Sequence, residues 1–207
     1  MGTAEKLSAT EGVQKVPSPR LDLFIKRDFL AEEECANIRE MIDRKRRPSE
    51  IADDIGDPVF RTSETCDLDH SLPEVQELDR KICDFVGIDP QYGEPIQGQH
   101  YEVGQEFKAH TDFFTPGGEG YEIHCKLSGQ RTWTVMIYLN EPEAGGATRF
   151  KKINKTVRPE RGKLLAWNNR TPDGGCNADT LHHAMKVRAG RKYVITKWFR
   201  ELPWRTE

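Results

Sequence analysis

The sequence predicts an α+β fold, mainly β: an antiparallel sandwich or barrel with N-terminal helices packed on one sheet. Helical periodicity is confined to the chain before Gly87. From Pro95 onward, short runs rich in β-branched and aromatic residues take over, separated by Gly, Pro and Asn turns. With 207 residues, 36% hydrophobic and 31% charged, the chain is long enough for one decorated domain with a sizeable core.

Taken in order, residues 1–19 are small, polar and proline-ended, and predict a disordered tail before a single domain spanning 20–207. LDLFIKRDFL reads as a strand entering the helix AEEECANIREMIDRKRR, where Cys35, Ile38, Met41 and Ile42 make an apolar stripe. Acidic residues at its start and basic residues at its end suit the helix dipole. The DRKRR run reads as a solvated helix terminus rather than a nucleic-acid contact. SLPE predicts a second helix with Ser71 as N-cap and Glu74 as its capping-box partner. Val75, Leu78, Ile82 and Phe85 supply the apolar face, and Gly87 ends it. Five strands follow: PIQGQHYEVG, RTWTVMIYLN, GKLLAWNN, LHHAMKV and RKYVITKWFR. On the last, Lys192, Val194, Thr196 and Trp198 share one face, and Tyr193, Ile195 and Phe199 the other.

A net charge of −3 gives no electrostatic case for nucleic acid or an anionic membrane. No apolar run approaches the ~20 residues that span a bilayer. The N-terminus has no signal-peptide core, and Lys6 stands where a myristoylation signal wants Ser or Thr, so the expected location is cytoplasmic. Cys35, Cys66, Cys83, Cys125 and Cys176 are odd in number and scattered, which predicts reduced thiols. Nothing in the chain fixes an oligomeric state.

The chemistry concentrates in a few segments. KAHTDFF puts His110 and Asp112 on one face of an extended chain. With six histidines in the chain that pair is a weak signal by itself. TLHHAMKV adds His182 and His183. Two imidazoles and a carboxylate make the facial triad that suits non-haem Fe(II) and leaves positions open for O₂ and a bidentate 2-oxo acid. A cation deeper in the barrel would hold the far carboxylate of such an acid, and Lys192 is of the right type. His70 and His100 read as structural, and His124 as a surface residue.

KAHTDFF, GQRTWTVMIYLNEPEAGGATRF, LHHAMKV and GRKYVITKWF, in this order and spacing, resemble the prolyl 4-hydroxylase family of Fe(II)/2-oxoglutarate dioxygenases. The likeness spreads over most of residues 20–200 and takes in FRTSETCDL. It implies a double-stranded β-helix (jelly-roll) core. It also implies hydroxylation of a prolyl residue in a peptide or protein by O₂ and 2-oxoglutarate, with succinate and CO₂ as products and ascorbate (vitamin C) as an accessory reductant. Carried over by position, His110, Asp112 and His182 are the metal ligands. His182 is preferred over His183, which on a strand points the opposite way. Lys192 pairs with the far carboxylate of 2-oxoglutarate, Thr148 assists there, and Tyr101 lines the pocket where substrate meets metal. Ala147 stands where the family more often has an acidic residue. Arg61 and Ser63 fall in a loop that closes over peptide, and Arg131 and Trp198 fall near the bound proline. Trp167 and Asn168 fall on a strand packed beside the site. FTPGGEGYEIHCKLSGQ departs from the family and is expected at the mouth of the site.

The carboxylate at Asp112 argues for hydroxylation, because halogenating relatives keep that position small. The use of Lys192 argues against the nucleic-acid demethylase branch. Two other readings stay open: a hydroxylase of a free amino acid, small metabolite or non-prolyl residue, and a non-catalytic metal-binding jelly-roll.

Overall fold

The computed structural model describes residues 2–50 and 60–205. The front of the chain forms α1 (Thr3–Ala9), β1 (Val13–Lys15), β2 (Leu23–Lys26), α2 (Glu32–Lys45), β3 (Arg47–Pro48), β4 (Glu64–Asp67) and α3 (Pro73–Val86). The middle forms β5 (Gln97–Tyr101), β6 (Phe107–His110), α4 (Glu119–His124), β7 (Arg131–Tyr138), β8 (Ala144–Gly145), β9 (Thr148–Phe150) and β10 (Lys155–Val157). The back supplies β11 (Leu164–Asn168), β12 (His182–Ala184), β13 (Val187–Ala189) and β14 (Lys192–Arg200).

These strands build an eight-stranded sheet in the order β1-β2-β11-β7-β14-β5-β4-β3, a four-stranded sheet in the order β10-β9-β12-β6, and the small pair β13-β8. Every recorded strand pairing is antiparallel. The arrangement is the expected mainly-β jelly-roll with helices on one sheet. Both faces of the large sheet are covered, so its central strands are buried throughout and alternate between two cores. Trp133, Val135, Ile137, Tyr193, Ile195 and Phe199 meet α2 and α3 through Ile38, Ile42, Leu78 and Ile82. Met136, Tyr138, Leu165, Trp167 and Val194 face the smaller sheet and Phe150. The face assignment predicted for the last strand holds on β14. Gly98 allows α2 to lie close on β5, because a Cβ there would strike Ile42.

Three expectations are corrected. The predicted N-terminal tail is ordered: Glu5 accepts the Gly2 N–H at 3.0 Å, Leu7 is fully buried in the helix-side core, and β1 pairs with β2. One well-placed leucine anchors α1, a signal too sparse to read as periodicity. Second, the cap of α3 is Leu72, with Pro73 at its first turn and no side-chain cap. Ser71 instead donates its backbone N–H and hydroxyl to Asp69, at 3.1 and 2.7 Å, so an Asp-led turn replaces the capping box. Third, LHHAMKV is two strands. The Met185 N–H turns to the Ala147 carbonyl, and the chain moves from β12 to β13.

The basic run after α2 is exposed except for Arg46, which is half-buried between Asp43 and Glu64. All five cysteines are free, and four of them are buried. Among the described residues no helix is long and apolar enough to cross a membrane.

Candidate active site

β6 and β12 are neighbours in the smaller sheet, and their register sets His110 directly opposite His182. Asp112 lies just past the end of β6. The three side chains offer ligand atoms that all lie within 4.8 Å of one another, the one such cluster among the described residues. Asp112 Oδ1 sits 3.8 Å from His110 Nε2 and 4.0 Å from His182 Nε2.

The surroundings orient each donor. A carbonyl can only accept, so His110 Nδ1–H donates to Lys108 O at 2.7 Å and His182 Nδ1–H donates to Thr180 O at 2.9 Å. Both imidazoles therefore turn an Nε2 lone pair inward, the tautomer a metal needs. Burial, and then the neighbouring His182, hold the His110 imidazole well below its ordinary pKa, which keeps it neutral. Asp112 Oδ2 accepts from Thr134 Oγ1 at 2.7 Å, and Thr134 in turn accepts from Asn169 Nδ2 at 2.9 Å. That leaves Oδ1 for the histidine side. His110 stacks on Phe107, with ring centroids 3.5 Å apart, and Trp167 meets His182 edge-on at 5.0 Å. His183 faces away and pairs with Glu106 at 2.8 Å.

Behind the triad an enclosed cavity is lined by Lys192, Thr148, Tyr101, Trp167 and Trp198. Lys192 is 1% exposed, and no carboxylate pairs with it among the described residues. Its Nζ lies 4.7 Å from the Tyr101 ring and 5.6 Å from the Tyr138 ring. Burial pushes the ammonium down to about 7. Gly146, at φ +70, leaves room for this lysine; a Cβ there would press on Lys192 Cδ at 3.2 Å. Thr148 Oγ1 accepts from Tyr138 Oη at 2.6 Å. The indole N–H groups of Trp167 and Trp198 are buried without a hydrogen-bond partner among the described residues.

In front of the triad a wider cavity of about 690 Å³ is lined by His110, Asp112, Arg61, Phe107, Arg131 and Trp198, among others. The Arg131 guanidinium lies 3.9 Å over the Trp198 ring, is clamped by Glu94 at 2.7 and 2.8 Å, and reaches the Asp112 carbonyl at 3.2 Å. Arg61 lies 4.8 Å over Phe107 and donates to Gln97 and Thr65, each at 3.0 Å. Ser63 lines neither cavity and instead accepts from Arg61 Nε at 3.2 Å. The chain leading into this segment, residues 51–59, lies outside the described residues. Of the segment after Asp112, Phe113, Phe114 and Thr115 line this cavity, whereas α4 contributes no lining residue. His124 is exposed, its ring stacked on Phe114 at 5.0 Å.

The sequence reading missed Thr134, Asn169, Glu94 and Trp204. Thr134 carries a signal, as a hydroxyl on the same face as Met136 and Tyr138 in an apolar strand. In AWNN it is Asn169, not Asn168, that reaches the site. Asn168 accepts the Arg170 N–H at 3.0 Å in the following turn.

The donor set fits a divalent iron: two imidazoles and one carboxylate, inward-turned and oriented from behind. The donors around the enclosed cavity, a buried cation and two indole N–H groups with no partner among the described residues, are of the kind that take a dicarboxylate. A jelly-roll with this pair of features defines a non-haem Fe(II)/2-oxoglutarate oxygenase.

Comparison with known proteins agrees. Residues 96–200 match the 2OG-Fe(II) oxygenase superfamily. The chain is 30% identical over 206 residues to probable prolyl 4-hydroxylase 10 of Arabidopsis thaliana, covering 88% of this chain and 69% of the relative. It is 35% identical over 182 residues to the rat (Rattus norvegicus) prolyl 4-hydroxylase subunit alpha-3, covering 84% of this chain and 32% of that one. Among solved structures, the viral collagen prolyl hydroxylase of Paramecium Bursaria Chlorella virus-1, in its 2OG complex, superposes with a TM-score of 0.67. The match has 23% identity and covers 86% of this chain and 94% of that one. A Trichoplax adhaerens prolyl hydroxylase, bound to a hypoxia-inducible-factor peptide fragment, gives a TM-score of 0.64 at 15% identity, covering 96% of this chain and 87% of that one. The chain belongs to the prolyl 4-hydroxylase family of Fe(II)/2-oxoglutarate dioxygenases.

Proposed function

We propose that the chain hydroxylates a prolyl residue of a peptide or protein, and that the residues assembled above divide the work as follows. His110, Asp112 and His182 would hold the iron. Lys192, with Thr148 beside it, would hold the far carboxylate of 2-oxoglutarate, and Tyr101 would close the wall of that pocket. When bound, iron and 2-oxoglutarate supply the oxidising power that puts one oxygen atom of O₂ into a C–H bond and the other into succinate, with loss of CO₂. Ascorbate as an accessory reductant and a cytoplasmic location belong to this reading, and the free cysteines suit a reducing compartment.

The residues themselves do the positioning. Lys192 would supply a charge-assisted contact in a buried site, where such a contact is strongest. Thr134 and Asn169 fix the Asp112 carboxylate. Arg131, held by Glu94, stacks on Trp198 and makes a rigid apolar wall at the junction of the two cavities, which suits a proline ring better than a charged side chain. Arg61 does the same on Phe107, with Ser63 behind it.

One observation carries the reading: His110 and Asp112 line both the enclosed cavity that contains Lys192 and a cavity of about 690 Å³. That volume takes several residues of a polypeptide. The test is mass spectrometry of proline-containing peptides incubated with the purified protein, Fe(II), 2-oxoglutarate and air. One added oxygen on proline, formed together with succinate, is expected, and Asp112→Ala should lose both the bound iron and the product. An added oxygen found only on a free amino acid, a small metabolite or another residue would overturn the prolyl assignment. Absence of succinate under every condition would leave a metal-binding module.

A further inference from the structure

From Trp198 to the C-terminal segment, aromatic rings and guanidinium groups alternate. Arg131 lies 3.9 Å over Trp198 and 4.8 Å from the Phe114 ring. Arg200 lies 5.2 Å from Phe114 and 5.5 Å from Trp204. Each step is within the ~6 Å over which a cation is drawn to a ring face. Glu94 joins the two cations, accepting from Arg131 at 2.7 and 2.8 Å and from Arg200 at 3.2 Å. With those donors turned to one buried carboxylate, the ladder is braced, and its Trp198, Arg131, Phe114 and Trp204 line the cavity.

Trp204 is the outer rung. It follows the last strand, yet its backbone is fastened: Trp204 N–H donates to Gln91 O at 2.7 Å. Its neighbours are fastened too, Leu202 N–H to Ser128 O at 3.0 Å and Arg205 N–H to Ser128 Oγ at 3.0 Å. A terminal segment tied down at successive donors holds a fixed surface. Trp204 is half-buried and lines the same cavity as His110 and Asp112, and Leu202 beside it is 53% exposed. That cavity, at about 690 Å³, is of a size that takes a ligand far larger than one proline ring.

We propose that Trp204 takes an apolar residue flanking the target proline, so that Leu202–Arg205 extends the polypeptide site. The proposal rests on the prolyl reading above and adds a second contact point, away from the reacting residue. Indoles suit this role, because a rigid ring buries a large area at small entropic cost.

The test compares a blocked proline decamer with a blocked proline trimer. Binding of the fluorescently labelled oligomers is followed by polarisation in the absence of iron, and KM is then measured for hydroxylation. Trp204→Ala should weaken decamer binding about two- to tenfold, the worth of one aromatic contact, and raise the decamer KM by more than it lowers kcat. The loss should be smaller for the trimer. Trp204→Phe, which keeps a ring on Arg200, should recover most of it at an unchanged melting temperature. Wild-type affinity of Trp204→Ala for the decamer, or equal losses on trimer and decamer, would overturn the proposal. Failure of the prolyl reading looks different: the wild-type chain would consume 2-oxoglutarate but hydroxylate neither oligomer, and the extension would fall with it.

Discussion

At the scale of single residues, Lys192 is where burial and chemistry oppose each other most. Its ammonium is 1% exposed and unpaired by any carboxylate among the described residues, and burial pushes it down to about 7. Since the unfolded chain holds this proton up to about 10.5, the free protein should gain stability as pH rises between those values. With Lys192 in its proposed role, binding of 2-oxoglutarate should run the other way, because only the ammonium form would pair with the far carboxylate. The dissociation constant for 2-oxoglutarate should be flat below about pH 7 and weaken up to about tenfold per pH unit above it, with proton uptake on binding. Calorimetry in buffers of different ionisation enthalpy measures that uptake directly. Lys192→Ala should weaken 2-oxoglutarate by about 1.5–3 kcal/mol, the worth of a charge-assisted contact, and the Fe(II) requirement far less. Equal sensitivity to both would remove Lys192 from the dicarboxylate pocket.

At the scale of elements, legibility followed how much of the pattern was local. β7, β11 and β14 announced themselves as short runs rich in β-branched and aromatic residues between turn residues, because strands buried on both faces read as near-continuous apolar segments. The triad was readable because His110 and Asp112 lie two residues apart on one extended segment, while His182 required the second strand and the family likeness to separate it from His183. Asn169 was not readable, and Thr134 showed only as a hydroxyl on an apolar strand face, since their value lies in meeting Asp112 across two strands. Trp204 was not readable because it follows the last periodic segment. The N-terminal helix failed for a related reason: a lone leucine carries no period. Leu7 is nonetheless fully buried in the helix-side core, where α1 packs on α3. Leu7→Ala should therefore cost about 2–5 kcal/mol in urea unfolding, as a fully buried leucine does. A dispensable tail, as the composition suggested, would show no loss.

At the scale of the whole molecule, a buried polar route crosses the largely apolar layer between the helices and the large sheet. Lys197 sits on the helix side of β14, its side chain 2% exposed, and pairs with Asp79 of α3 at 2.5 Å. The same ammonium donates to Glu94 O at 2.9 Å, and the Glu94 carboxylate clamps Arg131. The helix layer thus has a hand on the wall of the outer cavity, while Lys192 faces the enclosed cavity from the opposite side of the same strand. Asp79→Ala would strand the buried ammonium and should cost about 3–5 kcal/mol, read as a lowered melting temperature. Replacing both partners, Asp79→Leu with Lys197→Met, should restore much of that stability, because an apolar pair escapes the desolvation cost of two buried charges. It would not restore the bond to Glu94 O. In the double variant the peptide KM should therefore stay raised while the 2-oxoglutarate KM moves less, since the second is set on the other face of β14. If the double variant regained both stability and the wild-type peptide KM, the Asp79–Lys197 pair would be holding α3 to the sheet and nothing more.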